Sequence, residues 1–533
     1  MSNILVTCFN SEHELISCAN IIGAMKESDP NANIDLVTNK AYASLANIIN
    51  GVSMVHTIDT ETVVSIFQNQ LYSDAFAINQ FVEDIKIISA KQWDQVINYS
   101  NDEISSYLIS ALNHKDIVGS FINERGSVTF SNDIAIYQNF VATQQIKHPI
   151  DRVSIRSMML GLPLKTDYIK VRTDENYSVV AAQNFKRIRE MKGSAGTFVV
   201  GLNLETGIDG YSLDIETYAE LIEAIEESND YKVVLLLNGK NYQRSLANEL
   251  NAKFDNSLIS INIDITALPA VIGNLDAIVS TANTTLALSD IMEAKCIELR
   301  KAEKIITPMS TGEQNHVIYI NDESSVSSDI LLSLNEEFGT ELPIDRLTST
   351  NKVYQMVWED GAPFASQIRG DLDIQSELQY HVSRAYFMQL FSNKKNQDLL
   401  NHLREHTQEE ELQRFVINLK SELTSTVKLL LAALRSIKGV KSSKNNLNSF
   451  IVALDNLIQV GKSRSLAGDA VRFFEGKVEN IQTTDIDSNI KAIEDKLFEL
   501  KNELQVMMGY MSDLTSSQNQ ATVANKTSKE VNI

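Results

Sequence analysis

Short apolar runs and longer stretches with apolar residues three and four apart take turns along the first part of the chain, which is the sign of strands alternating with helices. Ile4 to Phe9 reads as a strand, residues 12 to 27 as a helix, Ile34 to Val37 as a strand and residues 40 to 50 as a helix. Ser53 to Ile58 and Gln95 to Tyr99 read as strands flanking a mostly helical piece, residues 60 to 92. Asp102 to Asn113 has helical spacing, Ile117 to Ile122 is strand-like, and residues 134 to 146 and 151 to 161 are helical. Such an order predicts a doubly wound parallel sheet.

After Gly161, Leu162 and Pro163 and a helix near 174 to 192, the alternation restarts. Thr197 to Gly201, Lys232 to Leu237 and Leu258 to Ile263 read as strands, separated by helices at 214 to 228 and 241 to 252 and followed by a short one near 266 to 273. The clearest unit is Asp276 to Arg300. There the apolar run Ala277, Ile278, Val279 stops at Ser280, Thr281, Ala282, Asn283, Thr284 and Thr285. A periodic stretch from Leu286 then leads to the run Cys296 to Leu299. The turn stands at the end of a strand and the start of a helix, where free N–H groups and the helix dipole suit a diphosphate. Ser, Thr and Asn are also the preferred N-cap residues, so an ordinary capped turn accounts for the same pattern. His316 to Ile320 completes this second sheet.

All seven prolines lie before residue 364, and the periodicity from about 345 onward is helical: 375 to 395, 396 to 438, 445 to 460 and 464 to 480, with a break at Gly439 to Lys444. In the last helix Ile490, Ile493, Leu497, Leu500, Leu504, Met507, Met511 and Leu514 form a heptad seam, which fits an intrachain bundle or a coiled coil with a partner. The fold class expected is α/β, two Rossmann-like domains followed by an all-α C-terminal domain. The expected boundaries are 1–163, 164–344 and 345–514, with a disordered polar tail at 515–533.

Composition narrows the functions. Lys and Arg number 47 against 69 Asp and Glu, a net charge of −22, which argues against nonspecific binding to nucleic acid or to anionic membranes. Three cysteines are too few for a disulfide framework, and neither a membrane span nor a signal peptide is evident, so a cytoplasmic location is expected. His402 and His406 lie one helical turn apart with no third ligand implied, so no metal site is expected. No P-loop or dinucleotide fingerprint is present.

Several segments together resemble the heptosyltransferases of glycosyltransferase family nine. They are ILVTCFNSEHELISCANIIGAMKESDPNANIDLVT, WDQVINYSNDEISSYLISALNHKDIVGSFI, HPIDRVSIRSMMLGLP, VVGLNLETGIDGYSLDIETYAELI and ITALPAVIGNLDAIVSTANTTLALSDIMEAKCIEL. The likeness spans about residues 3 to 340 and implies the GT-B architecture, an acceptor domain followed by a nucleotide-sugar domain. It implies inverting transfer from a nucleotide donor, ADP-heptose-like, to a saccharide or protein hydroxyl, without metal or cofactor. Glu14 falls at the family's catalytic Asp and His13 at its Gly. A Glu there, with its pKa raised by burial in the cleft, suits a general base, though a Glu in a first helical turn is also a plain dipole partner.

On the donor side the family's Lys, Trp and Pro fall at Tyr211, Leu213 and Asp214. Its late Asp, Gly and His fall at Ala282, Thr284 and Ala287. Asn203, Tyr211, Ser280, Thr281, Asn283, Thr284 and Thr285 are the candidate donor contacts, with Lys240, Arg300, Lys301 and Lys304 as nearby cations. The competing expectation is a catalytically degenerate GT-B module that binds partners or a second copy through its C-terminal helices, residues 484–514.

Overall fold

The computed structural model describes residues 2–68, 74–142, 150–163, 165–191, 197–228, 230–302, 309–340, 342, 350–359, 362–392, 400, 403–404, 407–442, 446–483 and 485–515. His402, His406, Lys304 and the tail beyond Thr515 lie outside the described residues. The chain forms two compact units: Met1–Ser131 with Ile150–Leu372, and Asn132–Pro149 with Asp373–Ile533.

The first unit carries both expected sheets. Strands β1 (Asn3–Cys8), β2 (Asn33–Asn39), β3 (Val52–Ile58), β4 (Trp93–Asn98) and β5 (His114–Val118) pair in parallel in the order β3-β2-β1-β4-β5. Residues 4 to 8 of β1 are buried on both faces, as a strand covered by helices on either side must be. A small antiparallel ribbon follows, β6 (Ser120–Ile122) with β7 (Val128–Phe130).

The second sheet holds β8 (Phe198–Asn203), β9 (Tyr231–Leu237), β10 (Ile259–Asn262), β11 (Ala277–Thr281), β12 (Cys296–Lys301) and β13 (His316–Ile320), parallel in the order β10-β9-β8-β11-β12-β13. Side chains alternate between its faces with the period of two that a strand imposes. Val200, Leu202, Leu235 and Val279 pack with Leu221, Ile222 and Leu334 on one side. Val199, Val234 and Leu236 pack with Phe185, Ile188 and Val271 on the other.

Two elements depart from expectation. Residues assigned to the start of the helical part instead form β14 (Lys352–Glu359) and β15 (Ala362–Arg369), an antiparallel hairpin that joins β13 and brings the sheet to eight strands. Tyr354, Met356 and Ala365 bury there against Val317 and Tyr319, which gives the hairpin its own apolar face. The helix Val326–Phe338, absent from the expected elements, packs Leu331 and Leu334 into the second lobe's core.

In the second unit, the helices Ile374–Ser392, Glu409–Ser442, Leu447–Ile458, Leu466–Glu479 and Ile486–Thr515 form a bundle. Gly439 lies within the second of these and does not end it. Seam residues Leu497, Leu500, Leu504, Met507 and Leu514 are buried within the single chain. The helix Asp133–Phe140, expected in the first lobe, belongs here because the Tyr137 ring meets Phe387 and Phe391 at centroid distances of 4.4 and 4.8 Å. Among the described residues, no helix is long and apolar enough to cross a membrane.

Candidate functional site

In both sheets of the first unit the strand order reverses beside the first strand of its lobe, at β1/β4 and at β8/β11, and the crevice outside those carboxyl ends is where doubly wound sheets hold ligands. After β1 the chain turns at Ser11, whose hydroxyl accepts from Glu14 N at 3.3 Å and caps the helix Glu12–Ser28. The hydroxyl turn after β11 meets the same helix across the lobes, where Thr284 Oγ1 donates to Glu12 Oε2 at 3.0 Å.

Glu14 is 7% exposed. Its Oε1 stands 3.1 Å from Arg152 Nη1 and 3.4 Å from Arg156 Nη2, and its Oε2 accepts from Asn10 Nδ2 at 2.8 Å. Both arginines come from one helix, Arg152–Met159, capped by Asp151, and a spacing of four puts them on the same face. The expectation of a raised pKa is corrected here. Burial does push the carboxyl up, but Arg156, Arg152 and the Asn10 hydrogen bond outweigh it and hold it below the usual range. Beside it, burial pushes His13 down to about 4 against the pull of Glu14, and the three neighbouring arginines add to the fall, so the imidazole is neutral at pH 7.

His13, Glu14, Arg152 and Arg156 face Arg300, Met309 and Thr311 across a cavity of about 110 Å³. Arg156 stacks on the Tyr99 ring at 3.8 Å, and its Nε and Nη1 are enclosed away from solvent. Arg300, 1% exposed, spends Nε on Glu298 Oε1 at 2.5 Å and leaves Nη1 without an acceptor. Two buried arginines thus line this cavity, each paired with one carboxylate.

The hydroxyl turn is differently committed. Asn203 Nδ2 donates to Ser280 Oγ at 2.9 Å and Asn283 Oδ1 at 3.1 Å, and Asn283 caps Leu286 N at 3.1 Å. Thr281 donates to Glu205 O at 2.6 Å, Thr284 to Glu12, and Thr285 to Glu205 Oε2 at 3.5 Å. Lys240 is drawn to Glu205 Oε1 at 2.5 Å. The turn is therefore buried, with its hydroxyls spent on backbone and carboxylates, and the acid groups beside it disfavour a second anion there. Tyr211 packs its ring into the second lobe's core with Leu204 and Leu213.

Of the expected cations, Arg300 reaches the cavity; Arg152 and Arg156 were missed. Their sequence signal is two arginines four apart just after an Asp cap. Among the described residues, no cluster of His, Cys, Asp or Glu has metal-binding geometry.

No family model matches the chain, and no curated protein does. Among solved structures it is similar to Escherichia coli heptosyltransferase WaaC with ADP, at 14% identity over 63% of this chain and 99% of that one, with a TM-score of 0.45. It is similar to E. coli ADP-heptose LPS heptosyltransferase II, at 14% identity over 63% of this chain and 98% of that one, TM-score 0.44. A family 9 glycosyl transferase from Veillonella parvula gives 12% identity over 56% of this chain and 80% of that one, TM-score 0.43. The solved structures that this chain is similar to thus include heptosyltransferases and a glycosyltransferase of family 9.

Proposed function

We propose that the first unit is an inverting glycosyltransferase that moves a sugar from a nucleoside diphosphate to a saccharide or protein hydroxyl, and that arginines, not the hydroxyl turn, hold the diphosphate. The carrying observation is that two buried arginines, Arg156 and Arg300, line one cavity with Glu14. In this reading the lobe of residues 1–163 takes the acceptor and that of 164–344 the nucleotide sugar, ADP-heptose-like by resemblance. Glu14 Oε2 receives the acceptor proton as the hydroxyl oxygen bonds the anomeric carbon. The anomeric bond to the diphosphate breaks, and its electron pair leaves with a group whose charge Arg156 and Arg300 stabilise. The lowered pKa keeps Glu14 deprotonated at neutral pH. Removing one such preorganised charge typically lowers kcat by about 10²–10³.

A second reading, a degenerate binding module, draws support from the spent hydroxyls of the turn and from Ala282 and Ala287, which carry no polar side chain. A melting-temperature screen with ADP, GDP, UDP and dTDP separates the two. The enzyme reading expects a rise with at least one nucleotide, lost in Arg156→Gln, and turnover abolished by Glu14→Gln with the rise retained. No rise with any nucleotide, together with loss of assembly on deleting residues 484–514, would leave the module reading.

A further inference from the structure

We infer that the acceptor of this transfer, an uncharged saccharide, docks on Trp358 in a second cavity, to which the β14–β15 hairpin contributes Trp358 and Pro363; the inference rests on the transferase reading above. Trp358 and Pro363 lie beyond residue 340, where the resemblance ends, whereas the other lining residues lie within it.

The cavity measures about 240 Å³ and adjoins the arginine cavity, since Asp151, Val153 and Thr311 line both. Trp358 Nε1 donates to Thr311 O at 2.7 Å, which fixes the indole plane beside a residue that lines both spaces. Pro363 stands opposite Trp358 in the hairpin register and lines the same cavity, while Lys165 Nζ lies 5.6 Å from the indole centroid. Thr311 and Gly312, beside the ring, are held in place by Asp290. Asp290 accepts from Thr311 N and Oγ1, both at 2.6 Å, and from Gly312 N at 2.8 Å, so that carboxylate is occupied with structure.

The remaining walls decide the ligand class. Lys165, Lys170 and Lys295 share them with Asp151, Glu293 and Glu313. A strongly anionic or cationic ligand would meet its own sign on part of that wall. A polyol instead uses donors and acceptors together, and its C–H face suits an aromatic plane. A sugar resting there has the shared wall, and beyond it Glu14, next to it.

Intrinsic fluorescence of the full-length protein tests this, because the only other tryptophan, Trp93, is fully buried and bonded to Ile88 O. Glucose, galactose, mannose, N-acetylglucosamine and their β-linked disaccharides are titrated with and without nucleotide. The expected result is a saturable emission change with at least one sugar, and in calorimetry a Kd for that sugar at least tenfold weaker in Trp358→Ala. Trp358→Phe, which keeps a flat apolar face, should stay within about threefold of the native value. The nucleotide melting shift should survive in both variants, which also certifies their folding. Unchanged sugar affinity in Trp358→Ala overturns the subsite. So does a protein that takes nucleotide but none of these sugars. A native protein that binds sugar at Trp358 but no nucleotide keeps the subsite and overturns the donor reading instead.

Discussion

At position 14 the helix dipole, Arg152, Arg156 and Asn10 all favour the charged carboxylate, and only burial opposes them. The resemblance offered a carboxylate base at this position, and the residues alone equally allowed a plain dipole partner. The arginines were not readable, because their register against Glu14 is set by packing between the helices Glu12–Ser28 and Arg152–Met159. Removing one of them has a signed consequence. On the transferase reading Glu14 must be ionised to accept a proton, so activity is expected to fall as pH drops through its lowered pKa. In Arg156→Met burial regains influence, and the acid limb of the kcat/KM profile is expected to move to higher pH. A limb that stays in place would mean that another group sets it.

His316 offers an independent check on the same physics. Buried on β13, with Arg369 and Lys295 nearby and Glu336 at 3.6 Å, it titrates at about 4 against the usual 6.5. The unfolded chain therefore takes up this proton first. The stabilisation is complete above pH 6.5 and is lost as pH falls towards 4, at up to about 1.4 kcal/mol per pH unit for one proton. His316→Leu should flatten the melting temperature across that window by about one proton's worth, as read from thermal melts at half-unit steps.

At the level of elements, both parallel sheets were readable because buried strands between covering helices are continuous apolar runs with sharp polar ends. The hairpin was not read, although its signal was present: Asp360 and Gly361 separate the runs Val353 to Trp358 and Ala362 to Ile368, the pattern of a two-strand turn. What hid it was the expectation that the helical part had already begun. The hairpin's far end depends on Gly370, whose φ is +91° and where a Cβ would stand 2.1 Å from Asn351 O. Asn351 in turn donates to Asp329 at 2.8 Å and accepts from Asn321 N, also at 2.8 Å, so it has little room to shift. Gly370→Ala is expected to cost about 1–3 kcal/mol and to loosen β14 from β13. The readout is a red shift of Trp358 emission in a Trp93→Phe background. An unshifted spectrum would mean that the hairpin end is not strained.

For the molecule as a whole, composition and periodicity separated α/β from helical parts, yet the chain does not divide where the pattern changes. The segment Asn132–Pro149 leaves the first unit, contributes its helix to the bundle, and the chain returns at Ile150. Local periodicity carries no trace of this, since Asp133–Phe140 would look the same against either core. Its partners show the dependence: Tyr137 lies among Phe387, Phe391 and Phe473, and the Phe140 ring would lie 2.6 Å from a Cβ at Gly476. Ending the chain after Leu372 would strip that helix of the bundle and present Tyr137 and Ile136 to water, an apolar patch with no replacement cover. The truncated protein should bind a hydrophobic dye and aggregate at concentrations where the full chain stays dispersed. Tyr137→Lys in the truncated background should relieve this, whereas in the full chain it buries an unpaired charge and should lower the melting temperature. Opposite responses to one substitution in the two backgrounds are the signature of a helix that belongs to the bundle. Equal responses would return it to the first lobe.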